Sequence, residues 1–200
     1  MFFSFDGLDG VGKSTQAQLL AQWLRDEGYE VVQCRDPGST KVGEKVRDLL
    51  LDTRAVISLR AEALLYMAAR AQMVEEIIAP ALRSGKVVVS DRFLLSNVVY
   101  QGHAGGLDVD MLWRLGEIAT AGVRPDVTFL LDMDPAAAAG RLDRPLDRME
   151  QKGDAFRQRL RQGFLAEAAR PDSRIVVISA EGSIEAVQQR IRAAAARALH

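Results

Sequence analysis

The stretch FDGLDGVGKST, residues 5–15, constrains the chain more than any other part of it. Gly7, four further residues and then Gly12-Lys13-Ser14 have the spacing of a P-loop. Glycines allow successive backbone N–H groups to converge on an anion, and the following helix points its N-terminus at the same place. Lys13 can reach the outer phosphates of a nucleotide, and the Ser14 hydroxyl can ligate magnesium. We therefore predict a phosphate-binding loop, which does not yet say what happens to the phosphate.

The residues around this loop support the same interpretation. An apolar run comes before it, and Ala17, Leu20 and Leu24 recur after it at helical spacing until Gly28. A strand, a glycine-rich loop and a helix in this order are the context in which the motif is specific. The predicted ATP-binding residues are Gly7, Leu8, Asp9, Gly10, Val11, Gly12, Lys13, Ser14 and Thr15.

Length and composition narrow the class of protein. The 200 residues suit one domain over residues 1–200, and the formal net charge of -1 indicates neither a nucleic-acid nor a membrane partner. Cys34 is the single cysteine, and we expect it in the core of a protein from a reducing compartment. The N-terminus lacks a basic leader, and no apolar stretch approaches the roughly 20 residues that span a bilayer. We expect a cytoplasmic protein.

Segments with the pattern of buried strands alternate with segments of helical spacing. After the N-terminal run, the strand-like segments are residues 30–34, 86–90, 127–131 and 175–178. One helical region begins near Ser58 and ends at Gly85, and residues 96–101 are predicted to form a helical turn. Asp108, Asp134 and Ser183 can cap the starts of other helices. This alternation predicts an α/β fold, a five-stranded parallel sheet with helices on both faces.

Polar residues, Asp36 and Asp132 among them, follow the predicted strands at the edge where ligands of parallel sheets bind. Asp91 follows its strand in the manner of a Walker B acid, although a helix cap or an ion pair with Arg92 is the alternative. Asp9 lies inside the loop, where it would repel ATP unless it faced a metal ion or a sugar hydroxyl. Magnesium prefers oxygen ligands, so we predict Mg²⁺ as the cofactor that accompanies ATP. The predicted metal ligands are Ser14, Asp91 and Asp9.

Arginines form a second group of candidate catalytic residues. Phosphoryl transfer spreads negative charge over the moving group, and one well-placed arginine can contribute about 10³- to 10⁵-fold in rate. Arg141, Arg144 and Arg148 lie in a charged segment, about residues 141–153, which we predict to be a lid over ATP. A solvated helix face is the alternative for each of these arginines. The predicted catalytic residues are Lys13, Asp9, Arg92, Arg144 and Arg141.

Five stretches in the right order resemble the thymidylate kinase family over nearly the whole chain. They are FDGLDGVGKST, RDPGST followed by GEKVR, LLYMAARAQ, SDRFLLSNVVYQG and LDRME. The resemblance implies a P-loop nucleoside monophosphate kinase fold with a lid segment. It also implies transfer of the γ-phosphoryl group of ATP to dTMP, which gives dTDP for dTTP biosynthesis, and a homodimer as the assembly.

The resemblance further implies roles for single residues. It places Asp9 near the acceptor sugar and the metal, and Arg92 between the two phosphate-bearing substrates. Tyr66 would stack on thymine, and Arg70, one helical turn later on the same face, would bond the base. Without the resemblance Tyr66 would be assigned to the core. Tyr100 falls where the family has a ring that crowds the sugar 2′ carbon. The implied dTMP-binding residues are Asp9, Tyr66, Arg70, Arg92, Ser96, Asn97, Tyr100 and Gln101.

Gly10 assigns the chain to one branch of that family. One branch carries a catalytic arginine at this position of the loop, and the other carries it in the lid, so the chain resembles the lid-arginine branch. Family spacing leaves open whether Arg144 or Arg141 takes that role, while Arg148 is a candidate to tie the base of the lid to acids.

Two other functions compete with this interpretation. One is a kinase for another nucleoside monophosphate or for a deoxynucleoside, which the pocket of Tyr66, Arg70 and Tyr100 would distinguish. The other is a regulatory GTPase switch, which should carry an Asn-Lys-x-Asp motif that the sequence lacks.

Overall fold

The computed structural model describes residues 1–142 and 148–199. Its strands are β1 (Phe2–Gly7), β2 (Val31–Arg35), β3 (Val87–Asp91), β4 (Val127–Asp132) and β5 (Ile175–Ser179). The α-helices of the described residues are α1 (Lys13–Asp26), α2 (Lys41–Leu51), α3 (Leu59–Met73), α4 (Ala79–Arg83), α5 (Leu94–Asn97), α6 (Val109–Ala119), α7 (Pro135–Ala139), α8 (Asp154–Ala168) and α9 (Ile184–Leu199). The segments Val74–Ile78 and Val98–His103 are π-helical and continue α3 and α5, and Glu150–Lys152 forms a 3₁₀ turn.

The strands form one parallel sheet in the order β2-β3-β1-β4-β5. β1 is central, and its Phe5 lies beside Asp91 of β3 on one side and Phe129 of β4 on the other. The chain fills the β2 and β3 side first and then crosses to β4 and β5. Strand order therefore reverses at the C-terminal end of β1, which is where open parallel sheets bind ligands. The P-loop lies at this point.

Alternate residues of β1 enter two hydrophobic cores, one on each face of the sheet. Phe3 and Phe5 pack in a core with residues of α1, α8 and α9. Phe2 packs in a second core with residues of α3 and α6, and its ring meets Phe93 edge-on at 5.1 Å between centroids. Because both faces of the sheet are covered, β1 is buried over its whole length, which fixes the strand that presents the P-loop.

Most local predictions are confirmed within one or two residues. Asp108, Asp134 and Ser183 each accept a hydrogen bond from a backbone N–H in the first turn of the next helix. Cys34 is buried in β2, and burial raises the pKa of its thiol to about 12. The thiol is therefore protonated at neutral pH, as expected for a core residue without a catalytic role.

Two helical regions differ from the prediction. The helix that begins after Ser58 widens to π geometry at Val74–Ile78, directly before α4. Pro80 lies in the first turn of α4 and has no N–H to donate, so a regular α-helical ladder cannot run through it. The predicted helical turn at residues 96–101 is a longer unit, because α5 and its π-helical continuation form one run from Leu94 to His103.

Within the part of the chain that the structure describes, no helix is both long and apolar enough to cross a membrane.

Candidate active site

Gly7 and Gly10 show why the loop between β1 and α1 requires glycine. Both residues have positive φ, 137° and 86°. A Cβ atom would lie 2.5 Å from the Leu131 carbonyl oxygen at Gly7 and 2.0 Å from the Ala138 carbonyl oxygen at Gly10. Both obstacles are backbone atoms, so no side chain fits without moving β4 or α7. The loop is thus packed closely against these two elements, and an arginine at position 10 is incompatible with this arrangement.

Lys13 places its amine inside the loop. Its Nζ donates a hydrogen bond to the Leu8 carbonyl oxygen at 2.6 Å and lies 3.5 Å from the Asp9 carboxylate. Burial, and after it the charge of Arg92, lowers the pKa of Lys13. No side chain caps the start of α1, and its first turn carries no acid. The N–H groups of this helix and the lysine together favour an anion at the loop.

The nine predicted ATP-binding residues differ in what they can offer a ligand. The side chains of Leu8 and Val11 are 5% and 2% exposed and belong to the hydrophobic core. Only their backbone groups can therefore contact a nucleotide. Ser14 and Thr15 are exposed at the start of α1.

Ser14 and Asp91 form the candidate magnesium site. The Ser14 hydroxyl donates to Asp91, with Oγ 2.5 Å from Oδ2. Asp91 reaches the loop because it ends β3 beside Phe5 of β1. Magnesium takes few protein oxygens and keeps water and phosphate as its other ligands, so the pair fits this cation. Among the described residues, no group of three or more His, Cys, Asp or Glu side chains could hold a metal ion.

Arg92 joins the end of β3 to the loop. Its φ of 67° lies in the left-handed region, which is uncommon for a residue with a side chain and marks local strain. The guanidinium lies 2.5 Å from Asp9 Oδ1 and donates to the Gly7 carbonyl oxygen at 3.2 Å and the Ser96 hydroxyl at 2.7 Å. Arg92 therefore pairs with Asp9.

Asp9 lies between two cations and a phenol. The Tyr100 hydroxyl donates to Asp9 Oδ2 at 3.0 Å, and its ring lies 5.2 Å from the Arg92 guanidinium carbon. Burial alone would raise the pKa of Asp9, but Arg92 and Lys13 outweigh it and hold that pKa well below its usual range. Burial raises the pKa of Tyr100. Asp9 is therefore an anion at neutral pH, and Tyr100 is a neutral hydrogen-bond donor to it.

Asp6 belongs to this arrangement, although the sequence did not indicate it. The carboxyl is fully buried, accepts a hydrogen bond from the Ser96 hydroxyl, and leaves its Oδ2 without a partner. Burial raises the pKa of Asp6 to about 7, against the hydrogen bond from Ser96 and the charge of Arg92. Its only signal in the sequence is an acid within an otherwise buried strand. Asp6 supports Ser96, which in turn holds Arg92.

A cavity of about 100 Å³, here called the central cavity, lies beside Asp9 and Arg92. Every residue predicted to bind dTMP lines it: Asp9, Tyr66, Arg70, Arg92, Ser96, Asn97, Tyr100 and Gln101. Tyr66 is half-buried and faces this cavity, so its assignment to the core, the alternative reading, is wrong. The other lining residues are Asp36, Pro37, Arg47, Leu51 and Met149.

Arg70 is fully buried and begins a chain of hydrogen bonds along the cavity wall. Its Nε lies 2.5 Å from Asp36 Oδ2, and its Nη1 donates to Asn97 Oδ1 at 3.0 Å. Asn97 Nδ2 then donates to Gln101 Oε1 at 2.7 Å. Burial raises the pKa of Asp36, against the charge of Arg70. Arg70, Asn97 and Gln101, three of the residues implied to contact the base, thus form one connected network.

Arg47 is a functional candidate that the sequence interpretation missed. Its Nη1 donates to the Pro37 carbonyl oxygen at 3.1 Å, and burial lowers its pKa. Arg47 is the third guanidinium of the central cavity, beside Arg70, which pairs with Asp36, and Arg92, which pairs with Asp9. The stretch GEKVR contains Arg47, but only the packing of α2 decides which side of the helix faces the cavity.

Two arginines of the predicted lid, Arg141 and Arg148, have different surroundings. Arg144 lies outside the described residues. Arg141 is exposed, and its Nη1 lies 3.5 Å from the Ala180 carbonyl oxygen after β5. Arg148 is paired with the buried Glu62, with Nη2 2.6 Å from Oε2. The prediction that Arg148 ties the base of this segment to an acid is confirmed.

Two other features lie apart from this arrangement. A larger cavity of about 340 Å³ is bordered by Trp113 and Arg174, and none of the predicted site residues lines it. Asp132, expected at the ligand edge of the sheet, is paired with Arg161 of α8 at 2.8 and 2.9 Å. The residues predicted to bind ATP and dTMP thus lie at the P-loop and the central cavity, and not at the larger cavity.

Comparison with known proteins decides the family. The family model described as thymidylate kinase matches residues 5–191. The chain belongs to the thymidylate kinase family. Thymidylate kinase of Rhodopirellula baltica is 47% identical over 190 residues, which cover 95% of this chain and 78% of that protein. Thymidylate kinase of Cutibacterium acnes is 46% identical over 193 residues, which cover 96% and 94%.

A solved structure extends the thymidylate kinase comparison to the fold. The crystal structure of thymidylate kinase from Ehrlichia chaffeensis matches with a TM-score of 0.82 and 31% identity, over 97% of each chain. The P-loop nucleoside monophosphate kinase fold is therefore confirmed. Membership of the thymidylate kinase family also makes the chain a kinase, as the P-loop and its arginines predicted.

Proposed function

We propose that the chain transfers the γ-phosphoryl group of ATP to dTMP and produces dTDP and ADP, with magnesium as the cofactor. The observation that carries the proposal is the position of Asp9. Its carboxylate lies 3.5 Å from Lys13 of the P-loop and 2.5 Å from Arg92 of the central cavity. One residue thus belongs to both the donor site and the acceptor site. Both sites lie where strands of one sheet end, with the P-loop after β1 and Arg92 after β3, which supports a single catalytic domain over residues 1–200.

The donor side consists of the loop from Gly7 to Thr15. The N-terminus of α1 and the Lys13 amine favour the β- and γ-phosphates of ATP, because both present positive potential there. In the structure Lys13 bonds to Leu8, and a phosphate oxygen can replace this carbonyl as its acceptor. Leu8 and Val11 contribute backbone groups, since their side chains are committed to the core.

Ser14 and Asp91 would hold the magnesium ion. The ion supplies positive charge that offsets the negative charge of the phosphates. Asp9 is the third predicted ligand, but its two oxygens already accept hydrogen bonds from Arg92 and Tyr100. This arrangement favours a role for Asp9 on the acceptor side, where it orients Arg92.

Arg92 and Arg47 would bind the phosphate of dTMP. Both guanidinium groups line the central cavity, and a planar guanidinium can hold two oxygens of a phosphate at once. A phosphate monoester has its second pKa near 6, so most of it is a dianion at pH 7 and needs no base to remove a proton. The residues therefore have to position the two substrates and stabilise charge.

Tyr66, Arg70, Asn97 and Gln101 would recognise the base. The Tyr66 ring offers a flat apolar face, and Arg70 has N–H groups for the carbonyl oxygens of thymine. Tyr100 would select deoxyribose, since its buried ring is held in place by Phe156 and Phe164, each 6.3 Å away between centroids. A ring that cannot move aside leaves no room for a 2′ hydroxyl.

The lid arginines would stabilise charge on the transferring group. Arg144 is the first candidate from the sequence and Arg141 the second, because Gly10 leaves the loop itself without an arginine. Arg148 is assigned a different part, since it is already paired with Glu62.

We also infer a homodimer. Apolar side chains on three helices are 39% to 78% exposed, namely Val42, Leu49, Leu64, Met111 and Ile118. Helix α3 contacts both α2 and α6, so these side chains belong to neighbouring elements. Exposed apolar residues in such number support contact with a second copy of the chain. Light scattering should give twice the chain mass, and Leu64→Asp should give the monomer mass.

Product analysis tests the proposed reaction directly. The protein is incubated with ATP, dTMP and magnesium, and the nucleotides are separated by ion-exchange chromatography. We expect equal amounts of ADP and dTDP, with neither product when magnesium is removed by a chelator. ADP without dTDP would mean that water is the acceptor, and the proposal would then fail.

A further inference from the structure

Glu62 is a buried acid behind the wall of the central cavity, and no substrate role has been assigned to it. It lies on α3, is 1% exposed, and accepts a hydrogen bond from Gln101, with Nε2 2.7 Å from Oε1. Its other oxygen, Oε2, lies 2.6 Å from the guanidinium of Arg148. Glu62 thus extends the hydrogen-bonded chain of Arg70, Asn97 and Gln101 by one group, and an ion pair joins its other oxygen to Arg148.

The groups of this chain have fixed donor and acceptor roles at both ends. Arg70 and Arg148 can only donate, and a carboxylate can only accept. Glu62 therefore obliges Gln101 to turn its NH₂ group toward α3, which leaves Gln101 Oε1 to accept from Asn97. Asn97 must then turn its own oxygen toward Arg70, as observed at 3.0 Å. Both ends demand the same orientation of the two amides.

Whether every donor in this chain meets an acceptor depends on the carboxylate of Glu62. Two amides between a donor-only arginine and an acceptor-only carboxylate can satisfy every contact. With an amide at position 62, three amides would lie between two arginines, and one contact would have to join two donors. An unmatched contact of this kind in a buried site is costly. The negative charge of Glu62 is therefore what permits a single orientation of Asn97 and Gln101.

Arg148 also links Glu62 to a second part of the cavity wall. Its Nε donates to the Leu50 carbonyl oxygen at 2.9 Å while its Nη2 pairs with Glu62, so two elements hold it. The next residue, Met149, is 5% exposed and lines the central cavity. Glu62 therefore acts on the cavity wall from two directions, through Gln101 and through Arg148.

We propose that Glu62 is a positioning residue for base selection: it fixes the polarity of the Asn97 and Gln101 amides at the central cavity and holds Met149 there through Arg148. The proposal rests on the proposed function, since it takes the cavity as the site of the thymine base. Glu62 does not touch the substrate in this account. It determines which N–H and C=O groups of the two amides the base meets.

The test uses a pair of substrates that differ only in the polarity of the base edge. In 5-methyl-dCMP the ring keeps the methyl group of dTMP, but an amino group replaces the C4 carbonyl and N3 carries no proton. The measured quantity is the ratio of kcat/KM for dTMP to kcat/KM for 5-methyl-dCMP. A residue that merely supports the fold would lower both constants and leave their ratio unchanged.

We expect Glu62→Gln to lower this ratio at least about 10-fold, because the amides lose their single orientation. The double variant with Glu62→Gln and Arg148→Met should restore most of the ratio. Without the guanidinium of Arg148, the three amides beside Arg70 can again match every donor with an acceptor. Arg148→Met alone should keep the ratio and raise the KM for dTMP, because Met149 is no longer held. The KM for ATP should stay the same in all three. Glu117→Gln is the control, as it removes a 2.6 Å ion pair with Arg124 that is exposed.

An unchanged ratio in Glu62→Gln would overturn the proposal, and so would a double variant that is no better than the single one. If Glu62→Gln is too unstable for kinetic assays, melting temperatures decide, because the double variant, which has no donor-to-donor contact, should be the more stable of the two. Equal instability of both would overturn the proposal. The unmodified protein in the same assay tests the proposed function separately: failure to phosphorylate dTMP would refute that function, whereas normal turnover with an unchanged Glu62→Gln ratio would refute only the role of Glu62.

Discussion

The guanidinium of Arg92 lies 2.5 Å from the carboxylate of Asp9, and this pair connects the end of β3 with the P-loop. The same carboxylate lies 3.5 Å from Lys13. One acid thus faces the cation of the donor loop and the cation of the central cavity. In a phosphoryl-transfer enzyme the two substrates must meet in line, and Asp9 marks the boundary between their sites.

Lys13→Ala should lower kcat at least about 10²-fold, because the amine that stabilises charge on the transferring phosphate is removed. The affinity for dTMP, measured by calorimetry without ATP, should change little, since Lys13 does not line the central cavity. Lys86→Ala is a matched control, as Lys86 pairs with Glu30 at the surface. Normal turnover of Lys13→Ala in a coupled ADP assay would contradict the assignment of the loop.

Tyr100→Ala should narrow the preference for dTMP over its ribose analogue, because the buried ring no longer crowds the 2′ position. Tyr100→Phe keeps the ring and removes only the hydroxyl that donates to Asp9. We therefore expect Tyr100→Phe to retain the preference and to lose some turnover. The ratio of the two kcat/KM values checks this, and an equal ratio in the alanine variant would mean that the ring serves packing alone.

Asp6→Asn should stabilise the protein increasingly as pH rises. The pKa of Asp6 is raised from 3.8 to about 7 in the folded state, so between these values the folded state holds a proton that the unfolded state has lost. The stability contributed by that proton is fully present below 3.8, the pKa of Asp6 in the unfolded state, and is lost as pH rises toward 7, its pKa in the folded state.

Denaturant unfolding of both proteins at several pH values measures this effect. The difference in free energy of unfolding between Asp6→Asn and the unmodified protein should grow by about 3 kcal/mol from pH 5 to pH 8, at about 1.4 kcal/mol per pKa unit. Asp154→Asn, a change at an exposed acid, should show no such growth. A constant difference for Asp6→Asn would mean that its carboxyl is ionised when buried.

Arg144→Ala should lower kcat about 10³-fold and leave the KM for dTMP within about threefold, if this arginine stabilises the transferring charge. Arg141→Ala should have the smaller effect, because its guanidinium lies near the Ala180 carbonyl oxygen. Steady-state kinetics of the two variants decide between them. A larger loss of kcat in Arg141→Ala would assign the role to Arg141.

Features that depend on local spacing could be predicted from the sequence. The P-loop follows from motif spacing, and the parallel sheet follows from the alternation of strands and helices. The sheet brings the ends of its strands to one edge, and this places Ser14 next to Asp91. The residues implied for the base, among them Tyr66 and Gln101, indeed line one cavity. Their roles in binding remain predictions that the variants above test.

Features that depend on long-range packing could not be predicted in this way. Asp6 resembles any acid near a strand end until the surrounding core removes it from water. Arg47 faces the cavity only because of how α2 lies against α3, and Glu62 meets Arg148 across 86 positions of sequence. Periodicity tells which residues share a face of a helix, but it does not tell what that face meets.

The most direct test of dTMP as the phosphoryl acceptor is the specificity constant for a panel of nucleoside monophosphates. ADP release with magnesium and ATP is measured for dTMP, dUMP, dCMP, dAMP and dGMP, and the release without acceptor is subtracted. We expect dTMP to have the highest kcat/KM, at least about 10-fold above the purine monophosphates and dCMP. A higher value for any of those three, or no release above the acceptor-free rate with dTMP, would contradict this expectation.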